Sequence, residues 1–524
     1  MKNQISKPQA IEPPPSNENK KGLFNQILDK IEVYGNKLPD PLILFVIISA
    51  VILVVSFFAS LANVSAVNPV TKETISAVNL LSGEGLINFL TSMVTNFSGF
   101  PPLGAVLVVL IGVGLGEATG FFSSLMKRTV ITAPTKAIIP VVILLAILGN
   151  AAADAATVVL PPIAAVVLMS LGFNPLVGLV VAYAATSGAF AANLVIGMAD
   201  VLAASFTQTG AQIIDPEYVA NPAMNYYFII VSTFLLLIVA IVVTYKITIP
   251  RFGTYSGKIE QVEELSSLEK RGLRWAGIST LVLAVPLLFL SVPSDSLLRN
   301  SETGSLITNS PFMSALVPLI TIFFLVPSLF YGIGAKTVRS GKDVADMLGK
   351  SMSTMGPYIV LVFVVAQMLA FFSWSNLGPI LAIKGANVLQ DVGFTGIPLF
   401  IGLIIVIALI NLFIGSASAK WAILAPIFVP MFMLLGYDPA LTQMLYRIGD
   451  SITNPITPLT PYLPLILAYA KAYDPKVGMG TLIAALLPYS IFFGIFWIIL
   501  IVVWFMLGLP LGPEGPVFLP AISS

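Results

Sequence analysis

Five ionisable side chains lie within, or at the edge of, stretches that are otherwise apolar enough for the interior of a membrane. They are Asp154, Asp200, Lys420, Arg447 and Asp450. A charge at the centre of a bilayer costs at least about 2.5 kcal/mol, so each of these residues is a candidate for a function. The chain has no histidine and no cysteine. Proton transfer would therefore have to use carboxylates, and thiol chemistry and thiolate metal sites are excluded.

The five charged residues allow more than one role. Arg447 and Asp450 are three residues apart on one predicted helix, so they share a face and could form a structural ion pair. Alternatively, Arg447 binds a ligand's carboxylate or sulfonyl oxygens through two hydrogen bonds, and Asp450 takes a proton or a cation. Asp200 is either a solvated acid at the outer interface or a proton carrier, and Asp154 is a further candidate for ion coupling. Lys420 could snorkel or cap a helix.

Small and polar residues interrupt two apolar segments, at 137–171 and 398–435. The first break reads GNAAAD (149–154) and the second reads GSASAK (415–420). The arms on either side are about the length that turns back inside a bilayer rather than crossing it. The pattern predicts two re-entrant helical hairpins whose tips expose backbone and hydroxyl groups at membrane depth. Such backbone is tolerated only where protein surrounds it or it lines a watery cavity.

Amide and hydroxyl side chains at these breaks are candidate ligands for an ion or a substrate. Asn150 and Asn411, together with Asp450, offer oxygen ligands for Na⁺, although Asn also commonly caps helices. Ser416 and Ser418 could join unwound carbonyls in the same oxygen cage or contact a substrate.

Two further features adjoin the breaks. Trp421 directly follows the second break and could stack on an aromatic ligand, although an indole in a helix bundle more often serves packing. The run NPITPLTP (454–461) predicts a proline-broken helix whose freed carbonyls need partners, and it mirrors the small-residue stretch 186–193.

The composition of the chain indicates the class of protein to which these candidate residues belong. The chain has 524 residues, 57% hydrophobic and 10% charged, with a mean hydropathy of +0.95. These values predict an all-α polytopic membrane protein, and the net charge of +1 gives no indication of a nucleic-acid partner. About nine crossings are predicted, at 41–61, 101–119, 175–198, 226–247, 273–290, 312–331, 358–374, 439–470 and 481–507. The chain has no phosphate-binding GxxxxGK[ST] loop, which leaves ion gradients as the energy source.

Nearly all basic residues fall on one side of the membrane if both hairpins return to the side that they enter. Of the 26 Lys and Arg residues, only Lys72, Arg299 and Lys384 fall in predicted outer loops, and Lys420 and Arg447 fall in the membrane. The positive-inside rule then predicts an internal N-terminus and an external C-terminus. The hairpins enter from opposite faces, and each is followed by a similar motif, LGFNP (171–175) or LGYDP (435–439). This pattern is typical of an inverted repeat in a secondary transporter.

The same reasoning divides the chain into six regions. They are a cytoplasmic tail with an interfacial helix (1–40), N-terminal scaffold helices (41–131), hairpin one with the following broken helix (132–223), further scaffold helices (224–375), hairpin two with its broken helix (376–480), and a last transmembrane helix with an outer C-terminus (481–524).

The two hairpins and the C-terminal part of the chain resemble the AbgT family, the p-aminobenzoyl-glutamate transporters. The matching stretches are 150–164, 191–204 and above all 411–515, with the motifs NLFIGSASAKWAILAP, YRIGDSITNPITPLTPYLP, GTLIAALLPYS and LGLPLGPEG. Two positions depart from the family pattern. Gly149 stands where the family usually has Ser, and Ala155 stands where many members have Gly.

The resemblance implies nine transmembrane helices and two opposed hairpins per protomer, in a homodimer of the bacterial inner membrane with a scaffold and a transport region. It implies import of p-aminobenzoyl-glutamate or export of sulfonamide antimetabolites, driven by the proton gradient and without a cofactor. The family's functional positions fall on Asp200, Asn411, Trp421, Pro439, Arg447, Asp450 and Pro458.

Three functions remain open at this point. The leading hypothesis is a proton-coupled secondary transporter of aromatic amide or sulfonamide compounds. A Na⁺-coupled dicarboxylate-type carrier is the alternative. The third is an intramembrane hydrolase that pairs Ser416 or Ser418 with Lys420, but an inverted repeat has no use in such an enzyme.

Overall fold

The computed structural model describes residues 41–67, 72–152, 155–255, 264–307, 310–353, 355–457, 460 and 462–519. This part of the chain is almost entirely helical and holds one small two-stranded hairpin, which confirms the predicted all-α membrane fold. The predicted interfacial helix before residue 41 lies outside the described residues, as do Asp154 and Pro458.

The α-helices are numbered here in chain order. They are α1 (Pro41–Leu61), α2 (Gly83–Ser98), α3 (Pro101–Thr119), α4 (Phe121–Thr132), α5 (Ile138–Gly149), α6 (Ala155–Ser170), α7 (Pro175–Gly188), α8 (Met198–Ala211), α9 (Tyr226–Val243), α10 (Ile249–Phe252), α11 (Ser267–Ser291), α12 (Pro311–Ser314), α13 (Leu316–Ala335), α14 (Gly341–Ser353), α15 (Gly356–Trp374), α16 (Leu377–Asp391), α17 (Gly396–Asn411), α18 (Ala417–Leu434), α19 (Pro439–Thr453), α20 (Leu463–Tyr473) and α21 (Met479–Met506). The strands β1 (Ser65–Val67) and β2 (Thr74–Ser76) pair antiparallel.

Eight stretches of the described chain are long and apolar enough to cross a membrane. They are Pro41–Leu61, Gly83–Thr119, Tyr226–Phe252, Ser267–Ser291, Leu316–Ala335, Gly356–Trp374, Ala417–Leu434 and Met479–Met506. All but Ala417–Leu434 overlap predicted crossings. The predicted crossings at 175–198 and 439–470 are each interrupted, because α7 ends at Gly188 and α19 ends at Thr453 before the chain becomes helical again.

Two helical hairpins stand where the sequence predicts them. The arms of the first, α5 and α6, have 12 and 16 residues, or about 18 and 24 Å at 1.5 Å per residue. Both arms are shorter than the roughly 30 Å hydrocarbon core of a bilayer. The arms of the second hairpin, α17 and α18, meet at their base, where the Phe400 and Phe432 ring centroids are 6.4 Å apart. Helix α19 packs against both of these arms.

Gly178 allows α7 to lie directly on the second arm of the first hairpin. A methyl group on Gly178 would lie 2.5 Å from the backbone of Ala164 and Ala165. We expect Gly178→Val to destabilise the protein by at least about 1–3 kcal/mol, because the backbone of α6 would have to move. Thermal unfolding in detergent measures this effect. The matched control is Gly277→Ala on α11, where a methyl group meets open space; equal melting temperatures for the two variants would contradict the prediction.

The two LG-x-x-P motifs adopt the same structure at the bases of the two hairpins. Gly172 and Gly436 have φ angles of +86° and +87°, a conformation that glycine adopts without strain. Asn174 and Asp438 then cap α7 and α19, each accepting a hydrogen bond from the backbone N–H two residues on, at 3.0 and 2.8 Å. The repeat seen in the sequence is therefore a repeat in structure.

Each base is also tied to the chain that follows a long helix. Phe173 pairs with Thr254, after the helical stretch that begins at α9, and Tyr437 pairs with Phe518, after α21. The second tie is extended by a hydrogen bond from the Leu519 N–H to the carbonyl of Gly436, at 3.0 Å. Each hairpin is thus anchored at its base to its neighbouring long helix, again in matching positions.

Asp438 differs from its repeat partner Asn174 in charge, and this predicts a pH effect on stability. The carboxyl is only 4% exposed, and burial raises its pKa from 3.8 to about 7, against the lowering effect of a backbone hydrogen bond. Between about pH 4 and pH 7 the folded protein holds a proton that the unfolded chain releases. The contribution of Asp438 to stability therefore falls as the pH rises through this window, by up to about 4 kcal/mol.

Asp438→Asn should remove this slope, because Asn keeps the cap without the charge. We expect the variant to be close to the wild type at pH 4 and to melt at a higher temperature at pH 8. The exposed Asp295→Asn serves as the control. A melting-temperature difference between Asp438→Asn and wild type that is the same at both pH values would argue against this account.

Candidate functional site

Helix α19 carries the centre of the site. Every residue from Pro439 to Ile452 is buried, although the helix includes charged and polar side chains. Gly449 permits the close approach of the second hairpin, since a methyl group there would lie 2.6 Å from the carbonyl oxygen of Ile404. A fully buried helix can hold charges only if partners on neighbouring helices compensate them.

The first partner is Asp200 at the start of α8. Its Oδ1 lies 2.7 Å from Nη2 of Arg447, and the two residues are 3% and 6% exposed. Oδ2 accepts a hydrogen bond from the Gly197 N–H at 2.8 Å, which fixes the carboxylate at the helix N-terminus. Within the described part of the chain, Oδ1 of Asp200 and Nη1 of Arg447 have no aligned hydrogen-bond partner. The pair is therefore a close ionic contact rather than a two-bond fork, and Asp200 belongs to the interior.

The second partner is Lys420 in the first turn of α18. Its Nζ lies 2.5 Å from Oδ1 of Asp450, the side chain is fully buried, and it also donates to Oδ1 of Asn411. The amide nitrogen of Asn411, which carries two hydrogens, lies within hydrogen-bond distance of three acceptors: the Asp450 carbonyl at 2.7 Å, Thr453 Oγ1 at 2.9 Å and Asn454 Oδ1 at 2.7 Å. Asn411 thus joins both arms of the hairpin to the end of α19.

These contacts decide between the alternatives for the charged pair on α19. Arg447 and Asp450 share a face of the helix, but each pairs with a residue of another element rather than with the other. Two crossed ion pairs therefore connect α8, α18 and α19. Lys420 neither snorkels nor merely caps a helix.

Trp421 is packed between α8 and α19. Its ring lies parallel to that of Tyr446, with centroids 4.3 Å apart and planes 19° apart. The indole N–H lies 3.2 Å from the Ala203 carbonyl oxygen and 3.0 Å from Thr207 Oγ1, and the residue is 1% exposed. The Tyr446 hydroxyl donates to the carbonyl of Ala417 at the second tip, at 2.6 Å. In this conformation the indole holds the second tip against α8.

The first tip is connected to this cluster through the extended segment after α7. Asn150 is buried, and its Nδ2 has no hydrogen-bond partner among the residues described. Gly197 lies so close that a methyl group on it would be 2.9 Å from Cα of Ala151. In the same segment, the N–H of Ala191 donates to Oγ of Ser451 on α19 at 3.2 Å.

The remaining predicted residues are placed as follows. The hydroxyls of Ser416 and Ser418 are 3.2 Å apart, and Ser416 caps α18 by accepting from the Ala419 N–H at 3.3 Å. Lys420 is bound to Asp450 and Asn411, so no Ser–Lys pair of the kind that a hydrolase would need forms at this tip. Pro439 starts α19, eight residues before Arg447 and therefore about 12 Å away along the helix axis.

Sequence reasoning missed a chain of buried polar groups that extends the site. Thr207 Oγ1 lies 2.6 Å from Gln443 Oε1, Gln443 Nε2 donates to Asn225 Oδ1 at 2.7 Å, and Asn225 Nδ2 donates to the Ala440 carbonyl at 2.8 Å. The available signal was the spacing of Gln443, one helical turn before Arg447.

A cavity of about 270 Å³ lies beside α8, against α2, α3 and α15. It is lined by aromatic and small residues together with side chains that carry hydroxyl or amide groups. Among them are Asn96, Phe100, Thr209, Gln212 and Ser373. Phe100 also contacts Phe206 on α8, with ring centroids 6.1 Å apart. The cavity thus borders the helix that carries Asp200.

Comparison with known proteins shows which family the chain resembles in sequence. A family model described as the AbgT putative transporter family matches residues 26–519. The p-aminobenzoyl-glutamate transport protein of Escherichia coli (strain K12) is 38% identical over 484 residues, which is 92% of this chain and 95% of that protein.

Two solved structures are also similar. The YdaH transporter of Alcanivorax borkumensis, described as having an unusual topology, matches with a TM-score of 0.87 and 39% identity, over 91% of this chain and 100% of that one. MtrF of Neisseria gonorrhoeae, described in connection with a class of antimetabolite efflux pumps, matches with a TM-score of 0.88 and 44% identity, over 94% and 100%. All three are named for transport and none as an enzyme. The chain is a multi-pass membrane protein that belongs to the AbgT putative transporter family.

Proposed function

We propose that this protein is a secondary active transporter of the bacterial inner membrane, with its N-terminus inside, that moves p-aminobenzoyl-glutamate or a sulfonamide-type antimetabolite. Transport is coupled to the proton gradient. The observation that carries the proposal is the buried Arg447, which contacts Asp200 through one guanidinium nitrogen while another has no partner among the described residues. The names of the relatives support the substrate class.

The first step is recognition of an anionic group by Arg447. A guanidinium binds a carboxylate or sulfonyl group best through two parallel hydrogen bonds. Asp200 supplies only one close oxygen, at 2.7 Å. A substrate carboxylate that offers both oxygens therefore competes well with Asp200 for the same guanidinium.

The second step is proton uptake. A carboxylate that loses its partner in a buried site leaves an uncompensated charge, which costs about 3–5 kcal/mol. Binding a proton removes that charge. Substrate binding at Arg447 and proton binding at Asp200 are thus linked, with one proton for each substrate carboxylate that takes the place of Asp200.

The third step is movement of the binding elements. The indole of Trp421 on α18 forms a hydrogen bond to α8, and the two ion pairs connect α8 and α18 to α19. The three helices therefore form one unit. The cavity between α8 and the helices α2, α3 and α15 marks the boundary along which this unit moves against the scaffold. The contacts for the aromatic amide part of the substrate are the Trp421–Tyr446 stack and Asn150, whose Nδ2 has no hydrogen-bond partner among the described residues.

Flux into proteoliposomes tests the proposal. Labelled p-aminobenzoyl-glutamate and a labelled sulfonamide are offered while H⁺ and Na⁺ gradients are varied separately. We expect a proton gradient to drive accumulation of one of them and a protonophore to abolish it. Accumulation of a dicarboxylate driven by Na⁺ would support the alternative carrier, and no flux of any of these compounds would overturn the assignment.

The surface of the helices fits lipid contact, and the homodimer implied by the family resemblance stays a prediction. On α11, Leu281, Val282 and Phe289 are 67%, 65% and 73% exposed. Side chains of this kind on a long apolar helix face the bilayer. Mass measurement of the detergent-solubilised protein tests the dimer.

A further inference from the structure

The cavity beside α8 has walls on two groups of helices. Thr209 on α8 and Gln212, directly after that helix, form the first wall. Asn96 on α2, Phe100 before α3 and Ser373 on α15 belong to the second. In the proposed transport cycle, α8 moves while α2, α3 and α15 stay in place. A molecule that contacts both walls would therefore hold them together.

The lining of the cavity selects an uncharged ligand. Among the described residues, none that lines the cavity carries a charge. A carboxylate bound there would lose its water without gaining an opposite charge, which is costly. This excludes the anionic substrate that is proposed to bind Arg447. The volume of about 270 Å³ lies below the roughly 300–1,000 Å³ of drug-sized pockets and suits a single substituted ring. Phe100, Ile213 and Leu369 give such a ring apolar surface to pack against.

The polar side chains of both walls already donate hydrogen bonds within the protein. Thr209 Oγ1 and Gln212 Nε2 donate to backbone carbonyls at 2.8 and 3.1 Å. On the second wall, Asn96 Nδ2 donates to Gln367 Oε1 at 3.0 Å. Each amide oxygen has two lone pairs, and a hydroxyl that donates can still accept. Within the described chain, no donor meets the side-chain oxygens of Thr209, Gln212 or Asn96. The cavity thus presents acceptors on both walls and favours a ligand with N–H donors.

We propose that this cavity is a second binding site, separate from Arg447, for a small uncharged aromatic compound that carries N–H donor groups. A ligand that bonds to Gln212 and Asn96 together connects α8 to α2 and arrests transport. The binding site rests on the cavity alone. Only the arrest of transport rests on the proposed function.

Cysteine labelling tests the binding site. The chain has no cysteine, so a single introduced thiol can be labelled selectively. Ser373→Cys places an exposed thiol at the cavity, and Ser301→Cys, in the loop after α11, is the exposed control. The probe is p-aminobenzamide, an uncharged ring with two NH₂ groups. At roughly ten times its Kd it should slow maleimide labelling of Ser373→Cys about tenfold and leave Ser301→Cys unaffected. The carboxylate analogue p-aminobenzoate should protect neither thiol.

Flux into proteoliposomes tests the arrest of transport. We expect p-aminobenzamide to lower the maximal rate of substrate flux without changing KM, because it binds apart from Arg447. Gln212→Met and Thr209→Val each remove one acceptor. Each should raise the inhibitory concentration about tenfold, which corresponds to about 1.4 kcal/mol, while flux without the inhibitor stays at the wild-type level. Gln390→Met replaces an exposed glutamine on α16 and should be inhibited as the wild type is.

Several outcomes would overturn the proposal. Labelling of Ser373→Cys that p-aminobenzamide does not slow, or slows equally in Ser301→Cys, shows that the compound does not occupy the cavity. Inhibition that substrate overcomes, or that neither Gln212→Met nor Thr209→Val weakens, shows that it acts elsewhere. Protection of Ser373→Cys without inhibition overturns the arrest. Labelling needs no transport, so a failure of the second site and a failure of the proposed function are distinguishable.

Discussion

Asp200→Asn is expected to abolish accumulation of substrate driven by a proton gradient, at some cost in stability because Arg447 is then buried without its anionic partner. The amide oxygen can still accept from the Gly197 N–H, as Oδ2 does at 2.8 Å, but the side chain can no longer bind a proton. With one proton per substrate, each pH unit of gradient supports about a tenfold accumulation, since a tenfold ratio corresponds to about 1.4 kcal/mol. The variant should reach equal concentrations on both sides.

Substrate exchange separates loss of coupling from loss of the site. Asp200→Asn should still exchange labelled for unlabelled substrate across proteoliposomes without a gradient, because Arg447 remains and its competitor is weaker. The exposed Asp215→Asn is the matched control and should accumulate substrate as the wild type does. Gradient-driven accumulation by Asp200→Asn equal to that of the wild type would remove Asp200 from the coupling mechanism.

Arg447→Ala is expected to have the second large effect, on both binding and stability. It removes the group that receives the substrate's anion, and it leaves Asp200 buried at 3% exposure without its partner. Stability should fall by about 3–5 kcal/mol, and affinity should fall by at least about 100-fold, which is about 2.7 kcal/mol. Arg447→Lys should keep the stability better than the affinity, because an ammonium cannot make the two-bond contact.

A double-variant cycle separates the two contributions. Asp200→Asn/Arg447→Ala should recover most of the lost stability, since no buried charge is left alone, yet it should not recover binding. Radioligand binding gives the affinity, and thermal unfolding in detergent gives the stability. The exposed Arg128→Ala is the control. Unchanged affinity in Arg447→Ala would show that another group binds the substrate.

Local patterns explain why the hairpins and their bases were predictable. The small-residue breaks at 149–154 and 415–420 stop apolar helices, and each LG-x-x-P motif has a glycine where the backbone takes a positive φ, at Gly172 and Gly436. By contrast, α2, α14 and α16 were not predicted. They are short or amphipathic; α14, for example, begins GKDVADMLGK and has no apolar run.

The partners of the charged residues could not be predicted, because pairing depends on elements far apart in sequence. The spacing of Arg447 and Asp450 placed them correctly on one face, but the nearest opposite charge to each came from a different element, α8 and the first turn of α18. Which charge meets which is decided by how those elements pack, which no local pattern contains. A local pattern also does not show which groups of a substrate a side chain meets. The binding roles therefore remain predictions for Asn150, Ser416, Ser418 and Trp421.

The pairing of Asp200 with Arg447 and of Asp450 with Lys420 has an electrical consequence. Moving one elementary charge through 100 mV involves about 2.3 kcal/mol. The four side chains carry charges that sum to zero, so their passage through the field does no net work. We therefore expect the return of the unloaded carrier to run at the same rate whatever the membrane voltage.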